Sequence, residues 1–335
     1  TVSPTYAAQL RESAYAAGLD SVVRSIQWKF SGVLNGIDMV SYDPECDPDL
    51  PARYTAAESE GKTLCKAALQ QELGLAQEEG TPVLSMVTRL VGHKGVDLVC
   101  QALDGIMATG CQLVVLGSGD GGYENFFRHA QNRYPGRLCA WIGYNEGLSR
   151  RIYAGSDLFL MPSKSEPCGL SQMIAMRYGS VPIARETGGL RDTVLSYNKF
   201  TDEGNGFTFF NYNAHDMLHT VRRAVHYYQN NREVWYRLIV RGMTGDYSWY
   251  SSAGKYMALY EDVTRPATSF TLTEETPENP KTAPASQAEV GDVKEAPKAE
   301  EKPKTKRGPR KKAVVEAAEV KEEADEKPKA KRGRR

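Results

Sequence analysis

The feature that most constrains this 335-residue chain is a regular alternation of short apolar runs with amphipathic stretches between residues 82 and 185. The runs 82–87, 112–116, 138–142 and 158–161 are largely apolar along their whole length, and residues 96–107 carry apolar side chains at helical spacing. Strands that are buried on both faces read as near-continuous apolar runs, and the helices between them supply the cover. The alternation therefore predicts an α/β fold, with a parallel sheet covered by helices on both faces.

Ligands of such sheets bind outside the carboxyl ends of the strands, so candidate residues should follow the predicted strands. Arg89 stands at the end of the first strand, and Lys94 lies five residues later, at the entry to a predicted helix. Two cations beside the free N–H groups of a helix start suit a diphosphate. The alternative is a pair of solvated surface charges, and the spacing alone does not choose between them.

A second candidate segment, 162–171, follows the strand 158–161 and opens a predicted helix. Gly169 would let the backbone approach a ligand, and Glu166 would face the same cleft. The alternative for Glu166 is local, because Ser163 and Glu166 have the spacing of a capping box. Cys168 is most simply a small residue in a tight turn, with a thiol activated by the helix start as the alternative. The segment 187–190 is a similar close-approach loop, or a plain turn.

These segments together resemble the bacterial glycogen synthases and plant starch synthases. The resemblance rests on residues 34–38, 89–95, 143–144, 162–170 and 187–190, and residues 1–7 resemble the end of the family's N-terminal domain. Its most specific part is the run Glu166-Pro167-Cys168-Gly169-Leu170 in a strand–helix context. The resemblance covers roughly residues 1–263.

The resemblance implies a GT-B architecture of two Rossmann-like lobes. It implies transfer of glucose from ADP-glucose, in preference to UDP-glucose, to the non-reducing end of an α-1,4-glucan with retention and without a cofactor. On this pattern Arg89 and Lys94 neutralise the departing diphosphate and Glu166 holds the donor glucose, while Tyr144 lies near the adenine. The substrate-binding residues that it implies are Asn35, Tyr144, Cys168, Gly169, Leu170, Ser171, Thr187, Gly188 and Gly189.

The chain also departs from the family pattern. The Lys-x-Gly-Gly-Leu donor loop of the family's N-terminal lobe has no match here, so we expect a fragment that lacks most of that lobe and is inactive alone. Some relatives place a second Glu eight residues after the first, where this chain has Ile174. We therefore expect three regions: a remnant of the N-terminal lobe and connector at 1–40, a nucleotide-sugar-binding domain at 41–263, and a tail at 264–335.

The tail differs from the rest in composition. Residues 264–335 contain 18 Lys and Arg against 14 Asp and Glu, and Phe270 is their one aromatic residue. Such a segment cannot offset its ordering entropy, so disorder is predicted. Its repeated basic ends, 306–310 and 331–335, resemble arms that bind the DNA minor groove. We favour the alternative, a solubilising linker or a loose polyanion-binding arm.

The remaining composition bounds location and chemistry. No apolar run approaches the ~18 residues that span a membrane. The six cysteines form no C-x-x-C pair, which favours reduced thiols and a cytoplasmic protein. His215 and His219 lack a third ligand, so no metal site is predicted. Two other functions stay open: another retaining GT-B transferase with a different sugar nucleotide, and a non-catalytic binding module that works through its tail.

Overall fold

The computed structural model describes residues 1–265, and its centre is a six-stranded parallel sheet. The strands are β1 (Val83–Val87), β2 (Gln112–Gly117), β3 (Leu138–Ile142), β4 (Leu158–Met161), β5 (Val181–Arg185) and β6 (Phe207–Phe209). Their order across the sheet is β3-β2-β1-β4-β5-β6. The order reverses beside β1, because β2 lies on one side of it and β4 on the other. Open α/β sheets bind ligands at such a switch point.

Eleven helices lie in the described part of the chain. They are α1 (Pro4–Gln9), α2 (Asp20–Ser25), α3 (Glu60–Glu72), α4 (Val96–Met107), α5 (Gly121–Arg133), α6 (Glu146–Gly155), α7 (Ser171–Arg177), α8 (Gly188–Thr193), α9 (Ala214–Asn230), α10 (Arg232–Met243) and α11 (Trp249–Thr264). Short 3-10 turns occupy Gln27–Lys29 and Gly92–Lys94.

The core is divided between the two faces of the sheet. One buried cluster joins α4, α9 and α10 to the strands through residues such as Leu103, Val221 and Leu238. The others join α3, α6 and α7 through residues such as Leu69 and Met173. All but one residue of β1 are buried, which explains its continuous apolar run. The predicted α/β fold with helices on both faces is confirmed.

The local predictions succeed for elements with a continuous apolar run or a clear helical period, and they fail elsewhere. The bounds of α4, β3 and β4 are those that the sequence indicated. The loop predicted at Gly188 and Gly189 is the start of α8, although both glycines do lie at a close backbone approach. Helix α1 packs on this short helix: the Thr5 backbone N–H and hydroxyl both donate to Asp192, at 3.0 and 2.5 Å.

Residues 1–265 include no helix that is long and apolar enough to cross a membrane. The expectations of a disordered tail and of polyanion binding fall on residues 266–335 almost entirely, outside the part that the structure describes. The boundary at residues 40–41 stays a prediction.

Candidate functional site

The candidate residues lie in loops at one edge of the sheet, where the parallel strands end. Arg89 follows β1, Tyr144 follows β3, and the segment that contains Glu166 follows β4. Neighbouring parallel strands place their carboxyl ends along the same edge. The topology alone therefore brings three segments together that are up to 77 residues apart in sequence.

The best-defined contact of the site is an ion pair between Lys94 and Glu166. The Lys94 Nζ donates to Glu166 Oε2 at 2.7 Å, and the Ser163 hydroxyl donates to the same oxygen at 3.0 Å. The Lys94 side chain is 18% exposed and that of Glu166 is 8% exposed. A carboxylate this buried needs a partner to remain charged. The two residues that the sequence proposed as cation and acid are thus in direct contact.

A close backbone approach makes this pair possible. Gly95, just before α4, has φ +76°, and a Cβ there would lie 2.0 Å from the Pro162 carbonyl oxygen. Only glycine tolerates both the left-handed backbone and the contact. Beside it, the backbone N–H of Lys164 donates to the His93 carbonyl oxygen at 2.9 Å. The loop after β4 therefore lies directly against the start of α4, which places Lys94 next to Glu166.

The capping-box alternative for Glu166 is wrong. Helix α7 begins at Ser171, five residues beyond Glu166, and its N-cap is Leu170. The Ser163 hydroxyl donates to the Glu166 carboxylate and not to the backbone of a helix start. The carboxylate therefore has the Lys94 ammonium and the Ser163 hydroxyl as partners.

Arg89 lines a cavity of about 440 Å³ whose lining residues do not include Lys94 or Glu166. Volumes in this range suit a small-molecule ligand. Four of the predicted residues are among the lining residues, namely Arg89, Tyr144, Leu170 and Ser171. The Tyr144 side chain is 87% exposed, which leaves its ring open to a stacking partner. The Arg89 Nη2 lies 3.4 Å from His93 Nε2, one residue before Lys94.

The other predicted residues surround the Glu166 backbone. A Cβ at Gly188 would lie 2.0 Å from the Glu166 carbonyl oxygen, and one at Gly189 would lie 2.0 Å from the Cys168 carbonyl oxygen. The Gly189 N–H donates to Glu166 O at 3.0 Å. Glycine is required at these two positions because another segment of the protein's own backbone lies against them. This explains the glycines without a ligand. Thr187, buried, contacts Gln9 through its hydroxyl at 3.2 Å.

Cys168 and Gly169 have structural roles in this turn. Burial raises the pKa of the Cys168 thiol, partly offset by its contact with the Asn35 backbone. A raised pKa keeps the thiol neutral, which disfavours the activated-thiol alternative. Gly169 has φ +73°, a conformation that favours glycine. The contact between the Cys168 thiol and the Asn35 backbone places Asn35 beside the Glu166–Gly169 turn.

Tyr42, Glu146 and Tyr153 are among the cavity-wall residues that sequence reasoning missed. Tyr42 comes from a segment without strand or helix pattern, so nothing in the sequence relates it to the sheet edge. Tyr153 looks like a core residue of α6, and it is buried. Glu146 and Arg150 have the i, i+4 spacing of an ordinary helix-surface pair. Only the fold shows that this first turn of α6 borders the cavity.

Comparison with known proteins shows the family to which the chain is related. Residues 71–237 match the family described as glycosyl transferases group 1. The glycogen synthase of Geobacillus thermodenitrificans (strain NG80-2) is 51% identical over 263 residues, which cover 78% of this chain and 54% of that protein. The glycogen synthase of Bacillus cereus (strain ATCC 10987 / NRS 248) is 50% identical over 262 residues, covering 78% and 55%. The chain thus spans about half the length of these relatives.

Solved structures give the same grouping. The catalytic domain of Starch Synthase IV from Arabidopsis thaliana bound to ADP and acarbose has a TM-score of 0.74 and 42% identity, over 78% of this chain and 55% of that one. Sucrose-phosphate synthase from Thermosynechococcus elongatus has a TM-score of 0.53 at 18% identity, over 78% and 57% of the two chains, and supports the fold alone. The fold and the site define a GT-B glycosyltransferase lobe, and the chain belongs to the glycosyl transferases group 1 family. Within that family it is homologous to glycogen and starch synthases, which confirms the resemblance found in the sequence.

Proposed function

We propose that this chain is the donor-binding lobe of a glycogen or starch synthase. The reaction is transfer of glucose from ADP-glucose to the non-reducing end of an α-1,4-glucan, with retention of configuration. The observation that carries the proposal is the Lys94–Glu166 pair at 2.7 Å, beside a cavity lined by Arg89, in a chain half identical to glycogen synthases. A cytoplasmic location belongs to the same proposal.

The proposed roles follow from the charges that the reaction creates. Breaking the anomeric C–O bond leaves positive charge on the sugar and negative charge on the departing diphosphate. Arg89 and Lys94 are cations on the diphosphate side, where positive charge is worth most in the transition state. The buried Glu166 carboxylate accepts hydrogen bonds from hydroxyls of the donor glucose. In the absence of a ligand, the Lys94 ammonium compensates its charge.

The turn that surrounds Glu166 supplies the rest of the proposed donor site. Cys168, Gly169 and the start of α7 at Ser171 bring backbone N–H groups to the sugar and phosphates, and Leu170, 44% exposed, offers an apolar contact. Tyr144 stacks on the base. Asn35 lies beside this turn through its contact with Cys168.

A UDP-glucose donor is the second candidate for the same site. Arg89, Lys94 and Glu166 would act on either donor, because both carry the same diphosphate and glucose. Homology to the starch synthase whose structure has ADP bound favours the adenine nucleotide.

The test is glucosyl transfer to a maltooligosaccharide by this chain joined to the half of the Geobacillus relative that it does not cover. We expect transfer from ADP-glucose, and we expect Arg89→Ala to lower kcat by about 100-fold with a smaller change in the KM of the glucan. The control is Arg222→Ala, which removes an exposed arginine of α9. Absence of transfer from either sugar nucleotide, or unchanged kcat in Arg89→Ala, would contradict the proposal.

A further inference from the structure

The cavity contains an acid that the proposed chemistry leaves unexplained. Of the described residues that line it, Arg89 is the one cation and Glu146 the one acid. A carboxylate in a site for a diphosphate repels its ligand through Coulomb interaction. Such a residue lowers affinity unless it also accepts a hydrogen bond from the ligand. A nucleotide bound here would therefore need a hydrogen-bond donor that faces Glu146.

Arg150 holds one carboxylate oxygen of Glu146, the other oxygen has only a long contact, and the side chain is 56% exposed. Its Oε1 accepts from Arg150 Nη2 at 3.2 Å. The same guanidinium contacts Asp47 Oδ2 at 3.2 Å and Asp49 Oδ2 at 3.6 Å. One positive charge is therefore shared among three carboxylates. The second oxygen, Glu146 Oε2, lies 3.5 Å from the Tyr144 hydroxyl, at the limit of hydrogen bonding.

The wall around Glu146 is aromatic. Tyr42, Tyr144 and Tyr153 line the same cavity. The Arg150 guanidinium lies 4.5 Å from the centre of the Tyr42 ring, so one side chain positions both an aromatic wall and the acid. Aromatic faces stack on planar bases without selecting among them. Selection must then come from a polar group at the edge of the base, and Glu146 is the one acid among the described lining residues.

We infer that Glu146 reads the base of the bound nucleotide and selects one with an exocyclic amino group over one with a carbonyl at that position. The inference rests on the proposed function, since a nucleotide must occupy the cavity. The adenine 6-amino group donates to a carboxylate, whereas the carbonyl of uracil or hypoxanthine opposes it with a second acceptor. Discrimination thus combines an attractive contact with a repulsive one. Arg150 is a positioning residue that fixes the acid without contacting the base.

The test compares binding of ADP and inosine 5′-diphosphate to the full 335-residue chain by NMR titration into the millimolar range. The two ligands share ring size and phosphates and differ on one edge of the purine: ADP has a 6-amino group and an unprotonated N1, whereas inosine diphosphate has a 6-carbonyl and an N1–H. We expect a preference for ADP, and we expect Glu146→Gln to reduce the ADP-to-inosine-diphosphate ratio about tenfold, because a carboxamide donates as well as accepts.

The matched control is Glu233→Gln. Glu233 forms an i, i+4 pair with Arg237 at 2.8 Å on α10, and its side chain is 90% exposed. This change should leave the ratio as it is. If the ratio is the same in Glu146→Gln while ADP still binds, the inference is overturned and the proposed function stands. If the unmodified chain binds neither nucleotide, both are overturned.

Discussion

Replacing Lys94 by methionine tests the physical basis of the site without a ligand. Methionine keeps the length of the side chain but removes its charge. Glu166 then retains one described polar partner, the Ser163 hydroxyl at 3.0 Å, in surroundings where 8% of its side chain is exposed. Removing one partner of a buried ion pair typically costs about 3–5 kcal/mol, because the remaining charge is uncompensated. We expect about 3 kcal/mol, since the Lys94 side chain is 18% exposed.

A second variant separates this charge effect from the loss of packing. In Lys94→Met with Glu166→Gln, the buried position carries a neutral amide that still accepts from Ser163. We expect the double variant to lose about 1 kcal/mol, which is less than Lys94→Met alone. The third variant of the cycle, Glu166→Gln alone, leaves Lys94 without its partner and should also be destabilising, so the coupling energy between the two positions is about 2 kcal/mol or more, a size typical of residues in direct contact.

The assay is equilibrium urea unfolding at pH 7, with the free energy of unfolding taken by linear extrapolation. Lys199→Met, a change of an exposed loop lysine, is the control and should stay within about 0.5 kcal/mol of the unmodified chain. If Lys94→Met behaves like this control, or if the two changes at the site are simply additive, the pair is not a buried, mutually dependent ion pair. The electrostatic reasoning about Glu166 would then be refuted.

The remaining predictions concern the loop contact and the thiols. Gly95→Ala should destabilise the chain by at least about 2 kcal/mol more than Gly74→Ala in urea unfolding: both have positive φ, but only the first Cβ would meet backbone, at 2.0 Å from Pro162 O. Equal losses would contradict the close approach. With a chromogenic disulfide reagent at pH 8, exposed Cys46 should react quickly and as a single equivalent. Burial raises the pKa of the other five thiols and so lowers their thiolate fraction: Cys65, Cys100, Cys111, Cys139 and Cys168. If more than one thiol reacts quickly, at least one of these five cysteines is accessible to the reagent and the predicted burial is contradicted.

The predictable elements are those with a continuous apolar run or a helical period. Continuous apolar runs mark β1, β3 and β4, and 3.6-residue spacing marks α4 and α10. The three residues of β6 and the six of α8 are too few for a period to emerge.

Helix α3 escaped prediction for a different reason: it buries charged side chains. Lys62 Nζ donates to the carbonyl oxygens of Ala154, Ser156 and Tyr178 at 2.8–3.0 Å. Lys66 forms an ion pair with Asp157 at 2.7 Å. A pattern analysis that places every lysine in solvent assigns Lys62 and Lys66 to the exposed face of α3. The partners that allow them to be buried come from distant segments, so the sequence pattern does not show them.

The candidate site also has a part that the sequence predicts and a part that only the structure shows. The types of residue at the strand ends were sufficient to propose Arg89, Lys94 and Glu166. The sequence could not distinguish a capping role for Glu166 from a buried ion pair, because the choice depends on where α7 begins. It also could not relate Glu146 to the cavity, since its pairing with Arg150 has an ordinary local explanation.

The most direct test of the account is an experimental structure of this chain with ADP bound. We predict that the diphosphate lies within hydrogen-bonding distance of Arg89 and Lys94. The adenine should lie against Tyr144 in the cavity of about 440 Å³. Binding should also redirect Lys94 toward the phosphates, leaving Glu166 to face the space where the sugar would lie. ADP bound elsewhere on the chain, or its diphosphate out of reach of both cations, would contradict the assignment of this edge of the sheet as the donor site.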